Sequence, residues 1–201
     1  MPDIDSTNNL AKVFLQNRWA PYVIPSVLFI LCWKLQALIT VPVGMAIPGG
    51  YFILSFTHGA RITSFFLFGF RAVIGMTIGA YAYFYLFPDA LDTQSYSQFA
   101  LQNVVYTLIV YFCVEIVRRA RALNDNFDGF KYSDIVWMIV ISAVACAAIK
   151  PAVVSYSGQS DQLSIVSFQI ASRIIGSLVV LYASMLSLSI LQQVNIPDRS
   201  K

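Results

Sequence analysis

Apolar residues fall along this chain in blocks of about 20, the length at which a helix crosses the hydrocarbon of a bilayer, and polar residues collect between the blocks. The first block runs from Ala20 to Leu38, opened by Trp19 and Tyr22 at the depth where aromatic rings anchor. Pro21 and Pro25 lie in its first turns, where a missing amide does least harm. The second block, Val43 to Phe56, is short and interrupted by Pro48-Gly49-Gly50, which predicts a kinked or broken span. Irregular backbone at that depth must be buried in protein or face water. The third, Ile62 to Phe87, reads as one long uninterrupted span, and its Gly75 and Gly79 have the small-xxx-small spacing that lets a neighbouring helix approach. Phe99 to Val117, Ile135 to Val154 and Leu163 to Leu191 follow, the fifth block carrying Ala143, Ala147 and Ala148 as a small-residue face.

The pattern predicts an all-α, polytopic membrane protein of about six transmembrane helices, folded as one unit over residues 20–192. Residues 1–19 precede it, either as a short interfacial helix capped by Ser6 or Thr7 or as a frayed terminus, and 193–201 form a tail.

Lys and Arg accumulate on the cytoplasmic side of short loops. With the N-terminus inside, Lys12, Arg18, Arg61, the Arg118–Lys131 connection, Arg199 and Lys201 all fall inside, and the Asp89/Asp92 and Asp161 connections fall outside. Reversal makes every basic connection disagree. A five-span alternative, with the Pro-Gly-Gly segment re-entrant, would place the N-terminus outside. The expected location is a bacterial cytoplasmic membrane, with both termini cytoplasmic.

Composition narrows the class. Only 11% of the 201 residues are charged and 58% are hydrophobic, against about 25% charged in soluble domains, and the mean hydropathy is +0.68. Six spans leave no room for a separate soluble domain. The net charge of +3 is dispersed over loops and helix ends, with no basic face interleaved with aromatics, which argues against nucleic acid. The N-terminus, Met1-Pro-Asp-Ile-Asp, is acidic and does not read as a signal peptide. Cys32, Cys113 and Cys146 sit in three different blocks, without Cys-x-x-Cys spacing or a nearby His, so neither a disulfide framework nor a metal site is expected. No zinc-protease, P-loop or nucleophile-elbow motif occurs. One histidine and one glutamate give little material for acid–base work. The expectation is a non-enzyme without cofactor.

Four cations fall within or at the ends of blocks: Lys34, Arg71, Lys150 and Arg173. A charge at mid-bilayer costs roughly 2.5–3.5 kcal/mol on insertion scales. Lys34, Lys150 and Arg173 fall toward the outer half, which suggests an outward pocket for a small anion or lipid phosphate. Snorkelling is the alternative for the two lysines, and a structural hydrogen-bonding role is the alternative for Arg173. Arg71, about ten residues into the third block, is expected to pair with Glu115 on the next helix. His58 and Arg61 are expected at the inner end of that block, His58 as a polar cap or, less in keeping with its position, as a proton sensor.

The run Thr57-His-Gly-Ala-Arg61, then Phe66-Leu-Phe-Gly69-Phe-Arg71-Ala72, then Gly75 and Gly79, resembles the membrane-associated sensor segments (MASE type) that precede diguanylate cyclase and histidine kinase domains in bacteria. The resemblance covers about residues 44–85. It implies an integral sensory or interaction module with Gly59, Arg61, Gly69 and Arg71 as its motif positions. The sequence departs from that family in its smaller number of spans and in showing no cyclase or kinase segment after the last one. Any signal is therefore expected to leave through a separate partner, at the Arg118, Arg119, Arg121 and Lys131 connection. Three functions remain open on the sequence: a non-catalytic sensor or scaffold, an accessory subunit of a larger membrane assembly, and a small-solute transport component such as the six-span substrate-binding subunits of energy-coupling-factor importers.

Overall fold

The structure is a computed structural model that describes residues 17–40, 46–47, 51–52, 54–87, 96–123, 131–153 and 162–194. The N-terminal interfacial segment, the Pro48–Gly50 break, the acidic connections at 89–92 and 161 and the tail lie outside the described residues. Among the described residues six helices run in chain order: α1 Ala20–Thr40, α2 Phe56–Phe68, α3 Arg71–Leu86, α4 Tyr96–Ala120, α5 Tyr132–Val153 and α6 Gln162–Val194. Between α1 and α2 two short strands, β1 Ala46–Ile47 and β2 Tyr51–Phe52, pair antiparallel as a small ribbon. Among the described residues four helices are long and apolar enough to cross a membrane, through Ala20–Ile39, Leu101–Ala120, Tyr132–Ile149 and Val166–Ser184. The helices α2 and α3, of 13 and 16 residues, are shorter than that.

The uninterrupted third span is therefore corrected. At Gly69 the backbone enters the left-handed region (φ 55°), its N–H still bonds Phe65 O at 2.9 Å, and a new helix starts at Arg71. Glycine makes that turn cheaply because it has no Cβ to clash. Apolar residues continue on both sides, Phe66-Leu-Phe before and Phe70 after, so the hydropathy pattern runs straight through the turn.

Chain directions follow from the contacts. Gly75 sits on Pro21 and Tyr22, Gly79 on Ser26, and Tyr83 and Phe84 stack on Trp33, so α1 and α3 advance in parallel. A Cβ on Gly75 would fall 2.6 Å from Tyr22 O, and one on Gly79 would fall 2.7 Å from Ser26 O. Backbones this close are what the small-xxx-small spacing allows. Helix α2 runs alongside α6, with Ser55 on Gly176 and Gly59 on Ser177 and Val180. The pairs Arg121–Asp134 and Tyr106–Cys146 set α4 and α5 antiparallel.

Two apolar clusters fill the interior, and α2 contributes to both. Phe56 and Ala60 pack with Phe29, Met76 and Tyr83; Ile62 and Phe65 pack with Tyr106, Val110, Met138 and Ile139. Every residue from Phe56 to Ile62 is buried. The long helices, by contrast, turn apolar side chains outward. On α1 the stripe Val23, Val27, Leu31, Leu35 and Leu38 is exposed, Leu31 by 60% and Leu38 by 62%. This is the reverse of a water-soluble bundle, in which apolar stripes face the core.

One end of the bundle collects basic residues. Arg18 precedes α1, Arg71 opens α3 next to the start of α1, and Arg118, Arg119 and Arg121 close α4 against Lys131 at the start of α5.

Candidate functional site

Polar side chains converge where α2 begins. Ser55 N–H donates to Ser172 O at 3.2 Å, which seats the start of α2 against the interior of α6 rather than at its end. From that seat His58 and Arg61 project into the bundle, 1% and 5% exposed. Both were expected at the inner end of a span. The turn at Gly69 moves them to mid-height, because α2 must descend 13 residues before the chain reverses.

His58 Nε2 lies 3.0 Å from Ser142 Oγ on α5. Ser142 Oγ directs its one proton at Met138 O, 2.6 Å away, so it accepts from an Nε2–H. His58 then carries a proton on Nε2, tying α2 to α5. Arg61 donates from Nε to Thr107 Oγ1 at 3.1 Å and from Nη2 to Asn103 Oδ1 at 2.8 Å, both on α4. Thr107 in turn donates to Asn103 O at 2.6 Å. The Arg61 guanidinium also lies over the Phe29 ring at 5.4 Å. Arg173, from α6, lies over the Tyr106 ring at 5.4 Å, and its buried Nη1 has no hydrogen-bond partner among the described residues. Arg173 thus meets the turn of α4, Asn103 to Thr107, that Arg61 bonds. Cys146, buried, points its thiol at Tyr106 O at 4.0 Å.

The charge balance of this centre is one-sided. The described residues include two acids, Glu115 and Asp134, and both are engaged at the basic end. Glu115 takes Arg118 at 2.7 and 2.8 Å and Arg119 at 2.7 Å. Asp134 takes Arg121 Nε at 2.9 Å and the Lys131 backbone N–H at 3.0 Å. The expected Arg71–Glu115 pair is thus corrected: Arg71 opens α3 and is exposed, and its place on Glu115 is filled from the same helix at i+3 and i+4. No carboxylate among the described residues faces Arg61 or Arg173. Cation–π contacts are worth about 0.5–2 kcal/mol each, less than the roughly 2.5–3.5 kcal/mol that a buried membrane charge costs.

The other anticipated cations are dispersed. Lys34 lies 4.2 Å over the Phe87 ring at the end opposite the basic one, and the Lys150 side chain falls outside the described residues. The outward pocket of Lys34, Lys150 and Arg173 is therefore not assembled among the described residues; Arg173 turns to Arg61 instead. Asn103, Thr107 and Ser142 were missed in the sequence. Asn103 and Thr107 carried a readable signal, since they stand at i and i+4 on the same face of α4 as the buried Val110, Val114 and Val117. Scanned against models of known protein families, curated proteins and solved structures, the chain finds no match.

Proposed function

We propose that this chain is a multi-pass membrane module that receives a ligand at the polar centre and signals to a partner at its basic end, with no chemistry of its own. The observation that carries the reading is the burial of hydrogen-bonding and charged side chains from α2, α4, α5 and α6 inside a bundle whose outer faces are apolar. In lipid, polar groups held at such a depth mark functional sites by default. Six traverses account for the helices: α1, the ribbon continued by α2, then α3, α4, α5 and α6. The concentration of Arg18, Arg71, Arg118, Arg119, Arg121 and Lys131 at one end supports a cytoplasmic face there, with both termini on that side. The four positions at which the sequence resembles bacterial sensor segments do separate work in this reading. Gly59 seats α2 on α6, Arg61 enters the polar centre, Gly69 makes the turn and Arg71 marks the basic end.

A second reading, a small-solute transport component, draws on one feature. The second traverse is broken, and its helix begins at mid-height, as in transporters whose discontinuous helices line the substrate site. Liposome reconstitution separates the two. The sensor reading expects no efflux of trapped labelled phosphate, acetate or amino acids above that of protein-free liposomes. Protein-dependent efflux of any of them would replace it with the transport reading.

A further inference from the structure

We infer that the polar centre is an oxyanion site, in which Arg173 and Arg61 hold a carboxylate, phosphate or sulfate group. This rests on the reading of the centre as a ligand-receiving site and names the chemistry of what it receives. Three independent observations converge. Two guanidinium groups meet the same turn of α4, Arg61 at Asn103 and Thr107 and Arg173 at Tyr106, with no carboxylate opposite them among the described residues. Only two of the five N–H donors of Arg61 are used by Thr107 and Asn103. On α6, Arg173 Nη1 is buried without a hydrogen-bond partner among the described residues.

An oxyanion between Arg61 and Arg173 would take up guanidinium donors that no protein group uses among the described residues and neutralise the pair of arginines in one step. A lipid headgroup and a dissolved anion share this chemistry. Arg173 lies seven residues inside the apolar stretch Val166–Ser184, about 10 Å along the helix, which favours the dissolved anion.

The test uses the full chain in nanodiscs. In phosphatidylcholine alone, thermal melting is followed against sodium phosphate, sodium sulfate and sodium acetate, with sodium chloride at equal ionic strength as reference; a parallel set contains phosphatidylglycerol and no added oxyanion. The expected result is a saturable rise in Tm with at least one oxyanion. Arg173→Gln should weaken it by about tenfold or more, and Arg173→Lys, which keeps charge but loses the fork, by about threefold or more. If Arg173→Gln does not fold, the Arg173→Lys shift decides alone, read against an unchanged Tm in chloride. Saturation by phosphatidylglycerol that depends on Arg173 upholds the oxyanion site with a lipid source. Wild-type protein that responds to no oxyanion and no anionic lipid overturns the inference, as does an Arg173→Gln response equal to wild type. Mass spectrometry of the purified complex separates the failures. A retained uncharged or cationic molecule sinks only the oxyanion, whereas a centre that retains nothing sinks the ligand-receiving reading too.

Discussion

At the scale of single residues, Asp134 is the anion with the most to lose. Its carboxylate is 2% exposed and joins the end of α4 to the start of α5, through Arg121 and through a return bond to the Lys131 N–H that completes the N-terminal turn. Asp134→Ala removes both bonds and is expected to cost about 1–3 kcal/mol, measured as a fall in Tm in detergent or nanodiscs. Arg119→Ala should stay within about 0.5 kcal/mol, because that side chain is 76% exposed and Glu115 keeps Arg118. The pair tests whether depth rather than charge count sets the worth of these bridges; equal losses would sink the argument. The sequence drew attention to His58, Arg61 and Arg173 through their rarity in apolar surroundings, and all three reach the polar centre. It did not reveal Ser142 or Asp134. A serine is ordinary in a membrane helix, and an aspartate at a helix start reads as a cap until its partner across the turn is known.

Among the elements, the shortest helix determines how the others meet. Gly69 has open space around its missing Cβ but a left-handed backbone, whereas Gly176 has ordinary backbone and a Cβ position 2.5 Å from the Ser55 carbonyl carbon. The two should fail differently. Gly69→Ala is expected to cost about 1–3 kcal/mol through backbone strain alone, and Gly69→Asn no less, because a ψ of −142° lies outside the left-handed well that asparagine tolerates. Gly176→Val should cost about 3 kcal/mol or more, because the start of α2 must leave its seat and the Ser55–Ser172 bond with it. Melting curves read the first pair. For Gly176→Val, a disulfide between Ser55→Cys and Ser172→Cys that forms in the parent and fails in the variant would show the displacement. These boundaries were only half legible. The glycine signals were visible, but hydropathy averages over a window and cannot separate a two-residue turn between apolar helices from one long helix.

For the whole molecule, the measurable quantity is which end faces the cytoplasm. With the native cysteines buried, a single introduced thiol reports its own side. Asp92→Cys, between α3 and α4, should react with an impermeant maleimide in intact cells, and Ser133→Cys, at the basic end, only after permeabilisation. The opposite pattern would invert the topology. The general architecture was the most legible part of the sequence: helical and apolar, with helices long enough to cross a membrane. That the helices share one polar centre was not, since it depends on side chains from α2, α4, α5 and α6 meeting at a common height.

The last helix carries a mechanical implication. Its 33 residues continue without interruption past the seat of α2, so the part from Arg173 to Val194 is a rod of about 30 Å. Pivoting that rod by about five degrees at the seat would swing its tip by nearly 3 Å, roughly half the rise of one helical turn. A displacement too small to disturb the bonds around Arg61 would thus arrive at the far face large enough for a docked protein to feel.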